Sequence, residues 1–118
     1  MTTDEFFAGQ VESRQIFEAV LAAVEALGAV EIRVSKSQIG FRHRLAFGSV
    51  WMPEQYLHRK AAPLVLTLGL RRRDPSPRWK EIVEPTPGRF THHLELYSPA
   101  EMDAEARAWL QEAWTIAG

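Results

Sequence analysis

Gly28-Ala29-Val30-Glu31-Ile32-Arg33-Val34-Ser35 decides the fold, because the hydrophobic period changes there from near four residues to two. Val30, Ile32 and Val34 alternate with Glu31, Arg33 and Ser35, the pattern of a strand with one covered and one wet face. Upstream, Ile16, Phe17, Val20, Leu21, Val24 and Leu27 recur at helical spacing, with Ser13 as the expected N-cap and Gly28 as the stop. Before that helix, residues 3–8 read as a helical turn ended by Gly9 and docked through Phe6 and Phe7.

Downstream, Ile39 and Phe41, then Leu45, Phe47 and Trp51, continue the alternation, with Arg42-His43-Arg44 as the hairpin tip between them. Pro53 ends that run, and residues 54–63 read as a loop or a short edge segment. Leu64-Val65-Leu66-Thr67-Leu68-Gly69-Leu70 is apolar on both parities, as expected of a central strand covered on both faces. Residues 71–77 leave the sheet, Ile82 and Val83 begin a short strand, Pro85-Thr86-Pro87-Gly88 closes a hairpin, and residues 90–97 return. Ser98-Pro99-Ala100-Glu101 combines a capping Ser, a proline suited to a first helical position and a capping-box Glu. The helix it is expected to open carries Met102, Ala106, Trp109, Leu110 and Ala113 on one side. The prediction is therefore a two-layer α+β domain over residues 1–118. An N-terminal helix precedes an antiparallel sheet of about five to six strands, and a C-terminal helix packs on the same face. Phe17, Phe47, Trp51 and Trp109 are the expected heavy core residues, at roughly 2–3 kcal/mol of burial each.

Composition narrows the function classes. With 118 residues, 46% hydrophobic and 25% charged, the chain has the make-up of one ordinary globular domain. Its longest apolar stretch, residues 61–70, is interrupted by Pro63 and Gly69 and falls far short of the ~20 residues that cross a bilayer. Met1-Thr2-Thr3-Asp4-Glu5 carries acids where a secretory signal needs bases, so a cytoplasmic location is expected. The absence of Cys excludes disulfides, thiolate catalysis and Cys-ligated zinc.

The net charge of -1 hides an uneven distribution. Residues 31–80 hold eleven bases against three acids, a balance of +8, between two acidic ends. Such a segment attracts an anionic partner if its cations share one surface, and is neutral scenery if the acidic helices pair with it.

Several strings also resemble a known family. Phe6-Phe7 before Gly9, Leu27-Gly28, Val34-Ser35-Lys36-Ser37-Gln38-Ile39-Gly40-Phe41, and Arg44 before Ala46-Phe47 look like the bacterial family called domain of unknown function 5655. So do Asp74, Ser76-Pro77-Arg78, Arg89-Phe90, His92-His93 with Leu94 and Leu96, and Ala108-Trp109-Leu110 with Ala113. The resemblance covers almost the whole chain and implies a compact α+β domain without carrying over a reaction. A looser likeness to frataxin-like iron-chaperone domains is one of fold only.

The candidate ligand-binding residues are Lys36, Arg42, Arg44, Arg78 and His93: four cations of the basic segment and an imidazole on a strand. His92 and His93 are adjacent on a strand and face opposite ways, so they do not readily chelate one metal together. His92 shares parity with Phe90, Leu94 and Leu96 and reads as a core histidine. His93 shares parity with Glu95 and Tyr97. A His-x-Glu strand pair supplies two metal ligands at most, and no third stands at a diagnostic spacing, so no metal and no cofactor is expected. Arg71-Arg72-Arg73 with Arg78-Trp79-Lys80 sets cations beside a ring, as single-stranded nucleic acid binding requires, but the overall acidity and the lack of a recognised motif argue against that partner. No nucleophile elbow, phosphate loop or metal-binding helix motif is present. The leading expectation is a soluble binding module that recognises an anionic small molecule or an acidic protein surface. The alternatives are a self-associating homodimeric domain, and an enzyme using His92 or His93 in a pocket.

Overall fold

Thr2 and Glu5 cap the first turn reciprocally: the Thr2 hydroxyl accepts the Glu5 N–H at 3.1 Å, and the Glu5 carboxylate accepts the Thr2 N–H at 2.9 Å. This short helix α1 (Thr3–Phe6) docks as expected, with Phe6 and Phe7 buried edge to face, and Gly9 turns the chain at a φ of 74°. In the computed structural model, which describes residues 1–54 and 61–118, helix α2 spans Val11–Glu25 and buries Ile16, Phe17, Val20 and Val24. Ser13 is not its N-cap. The helix begins two residues earlier, and the buried Ser13 hydroxyl donates to the Pro63 carbonyl at 2.7 Å, tying α2 to the chain entering the central strand.

Six strands follow: β1 (Glu31–Val34), β2 (Ile39–Arg42), β3 (Ala46–Trp51), β4 (Leu64–Leu70), β5 (Glu81–Thr86) and β6 (Arg89–Leu96). They form one sheet in the order β1-β2-β3-β4-β6-β5, every neighbouring pair antiparallel. The expectation for residues 54–63 lies mostly outside the described residues. Leu64, Leu66, Leu68 and Leu70 meet Leu96, Leu94, His92 and Phe90 in register, and this face packs against α2 and the C-terminal helix. The opposite face is less covered than expected: Val65 is buried, Thr67 half-buried and Gly69 exposed.

Parity changes inside β3. Phe41 pairs with Gly48 while Arg42 pairs with Ala46, so Phe47 is an extra residue, a bulge. The bulge keeps Phe47 in the core, stacked with Phe41 at 6.2 Å, and turns Trp51 out of the core onto the other face, where its indole N–H donates to Thr67. Close approach of β4 explains Gly48: a Cβ there would lie 2.7 Å from the Thr67 carbonyl oxygen.

The Ser98–Glu101 string does not open the long helix. It holds a single 3₁₀ turn (Pro99–Glu101), in which the Glu101 carboxylate accepts the Ser98 N–H at 3.2 Å. Helix α3 (Ala104–Ile116) starts afresh at Asp103, whose carboxylate caps the Ala106 N–H at 3.0 Å. Its far end is capped by the β2–β3 turn. The Ala117 carbonyl accepts the backbone N–H groups of Arg44 and Leu45 at 3.1 and 2.9 Å, and the His43 ring stacks on Trp114 at 4.1 Å. That docking explains a hairpin tip without Gly or Asn: its backbone donors are spent on the helix.

Candidate functional site

Antiparallel pairing sends alternate strand ends to the same side of the sheet. β2 and β4 arrive where β3 and β6 depart, so Arg42, Arg44, Arg71 and Arg89 stand at one end of the sheet. A cleft of about 300 Å³ opens there, floored by Phe47, Leu70, Phe90 and Ile116 and walled by Arg71 and Arg89. Among the described residues neither of these arginines has an ion pair. Neighbouring Arg73 lies over the Phe90 ring at 5.5 Å.

Other bases are spent within the fold. Arg72 holds Glu112 in a fork of 2.9 and 2.8 Å and Asp74 at 2.7 Å, and these contacts raise its pKa. Arg78 binds Glu105 at 2.9 Å, Asp103 at 3.0 Å and the Glu101 carbonyl at 3.0 Å, and lies 5.5 Å over the Trp109 ring. It clamps the β4–β5 connection to the start of α3. Lys36 sits in the β1–β2 turn at the other end of the sheet, roughly 20 Å from Arg42 at ~3.3 Å per strand residue. The five residues expected to share a site are therefore dispersed. Arg42 and Arg44 share the cleft's end of the sheet, with Arg44 directly before the cleft residue Leu45, whereas Lys36, Arg78 and His93 lie elsewhere. Arg71 and Arg89 are legible as neighbours only through the pairing of Leu70 with Phe90: Arg71 directly follows Leu70, the end of β4, and Arg89 opens β6 next to Phe90.

The two histidines face opposite ways, as strand parity predicts. His92 is fully buried: Nδ1–H donates to the Phe90 carbonyl at 3.0 Å, and Nε2 accepts the Asp74 N–H at 3.1 Å. Asp74 in turn accepts the Trp79 indole N–H at 2.9 Å and the Ser76 N–H at 3.0 Å. This neutral imidazole is part of the frame. His93 sits half-buried on the other face, in a polar row where β5 Glu81, His93, Thr67 and Ser49 pair across successive strands. It lines a second cleft of about 220 Å³ with Trp51, Val65, Lys80, Glu81 and Glu95.

Burial pushes the pKa of both imidazoles below the ordinary 6.5, although the Phe90 carbonyl opposes the shift at His92 and Glu81 opposes it at His93. The unfolded chain therefore takes up these protons first. Stability is fully present above pH ~6.5 and falls as pH drops through the lower native values. The melting temperature is expected to fall between pH 7.5 and 5.5, and less steeply in His93→Gln. A flat profile across that interval contradicts the burial of these rings.

A family model described as Domain of unknown function (DUF5655) matches residues 3–117. The chain belongs to the DUF5655 family. No curated protein and no solved structure matches it. The α+β fold expected for a DUF5655 domain is the one observed, while the frataxin-like likeness is not supported. Among the described residues of this DUF5655 chain no helix is long and apolar enough to cross a membrane, and no three His, Asp or Glu side chains converge to hold a metal ion.

Proposed function

We propose that the domain is a binding module that takes a small anionic molecule with an apolar body in the cleft at the arginine-bearing end of the sheet. One observation carries this reading: Arg71 and Arg89 wall an apolar cleft and lack carboxylate partners among the described residues, while Arg72, next in the chain to Arg71, is held by two. A guanidinium beside a partly dehydrated cleft binds a carboxylate or phosphate through charge-assisted, forked hydrogen bonds, and Phe47, Leu70 and Ile116 offer surface for the hydrophobic part. The volume lies at the small end of ligand pockets, which favours a compact ligand. Arg42 and Arg44 stand at the same end of the sheet and add to its positive potential.

The test is a thermal-shift and NMR titration with octanoate, acetate and octanol. Octanoate is expected to raise the melting temperature and perturb Phe90 and Ile116, acetate to act weakly, and octanol to act least. A lost charged hydrogen bond of about 1.4 kcal/mol is a tenfold change, so Arg71→Gln and Arg89→Gln are each expected to weaken octanoate about tenfold. Equal responses to octanoate and octanol, or unchanged affinity in both variants, overturn the reading.

A further inference from the structure

The open face of the sheet holds a second cleft, of different chemistry from the arginine-walled one. Trp51 Nε1–H can only donate, so Thr67 Oγ1 is its acceptor at 2.9 Å. The Thr67 hydroxyl keeps one proton and one lone pair for His93 Nδ1, 2.8 Å away. When the hydroxyl donates, the imidazole proton stands on Nε2. No fully buried side-chain nitrogen or oxygen among the described residues lacks a partner, so Nε2, for which no hydrogen bond is seen, is not fully buried. Thr67 does not line the cleft, whereas His93 does. Thr67 is therefore a positioning residue, and in that tautomer His93 presents an N–H donor to whatever enters.

Facing that donor from the neighbouring elements are the Glu81 carboxylate of β5, the Glu95 carboxylate of β6 and the Lys80 ammonium before β5. With His93 neutral the wall is net negative, which disfavours an anion as the group that accepts from Nε2. The complementary ligand has an uncharged acceptor for the imidazole, N–H donors for a carboxylate, and a flat apolar part for Trp51 and Val65.

We propose that this open-face cleft is a binding site for a small neutral carboxamide on an aromatic ring, its carbonyl accepting from His93 Nε2 and its amide N–H groups donating to Glu81 or Glu95. The site does not depend on the arginine-walled cleft, so either can fail alone.

Benzamide, benzoate and benzylamine are the probes, followed by NMR at pH 7.5 on the full chain. Benzamide is expected to shift the His93 and Trp51 resonances saturably, at least tenfold more tightly than benzoate or benzylamine. His93→Phe is expected to weaken it about tenfold and Glu81→Gln several-fold, with no effect from Arg71→Gln. Nitrogen chemical shifts of His93 in the free protein, expected to show a protonated Nε2 and a bare Nδ1, test the relay without any ligand. Thr67→Val should turn that single tautomer into a mixture. A protonated Nδ1 in the neutral ring, no perturbation by benzamide, equal binding of the three probes, or unchanged affinity in His93→Phe overturns the proposal.

Discussion

Trp109→Ala is expected to lower stability by about 3–5 kcal/mol, the range for removing a packed aromatic side chain from a core. At roughly 4 °C per kcal/mol for a domain of this size, its melting temperature falls by about 12–20 °C. Trp109 is only 5% exposed, and its ring centroid lies 4.2 Å from that of Trp79. The Arg78 guanidinium lies over it while binding Asp103 and Glu105 at the start of α3. Truncation therefore opens a cavity and removes the surface on which the clamp rests. Thermal unfolding followed by circular dichroism measures it, with Trp109→Phe losing less. A fall of under about 1 kcal/mol contradicts the packing described.

Asp74→Ala is the second large effect, at about 3 kcal/mol. The buried carboxylate accepts from the Trp79 indole, the Ser76 N–H and Arg72, and truncation strands a buried indole N–H. Burial alone would raise the pKa of Asp74, but the three donors outweigh it and hold it below the ordinary 3.8. Its contribution is therefore present above pH ~3.8 and is lost as pH falls through the lower native value. Urea unfolding of wild type and variant at pH 7 and at pH 2.5 is expected to show the difference shrinking in acid. A gap that stays constant assigns the effect to packing instead of charge.

The misplaced details share a cause. Ser13 resembles a cap, yet its hydroxyl is taken by the Pro63 carbonyl, a partner 50 residues away. The Ser98–Glu101 string has the capping chemistry expected of it, but the chain leaves the helical path at Met102 and Asp103 caps α3 instead. His92 and His93 face as strand parity dictates because no bulge interrupts the β4–β6 register. Trp51 departs from that parity because the bulge at Phe47 shifts the phase by one residue. The basic segment was visible as +8, but its fate was not: Arg78 and Arg72 are answered by acids from α3, while Arg71 and Arg89 meet at the end of strands separated in sequence by β5.

Hydrophobic period, turn residues and helix stops determined the elements, the α+β class and the opposite facing of the two histidines, because each depends on residues a few positions apart. Which cations remain unpaired, which face holds a cleft, and that Thr67 orients His93 were decided only when β6 inserted between β4 and β5. Those properties belong to pairs far apart in the chain, and the free energy that joins them comes from burying the whole core rather than from any local signal.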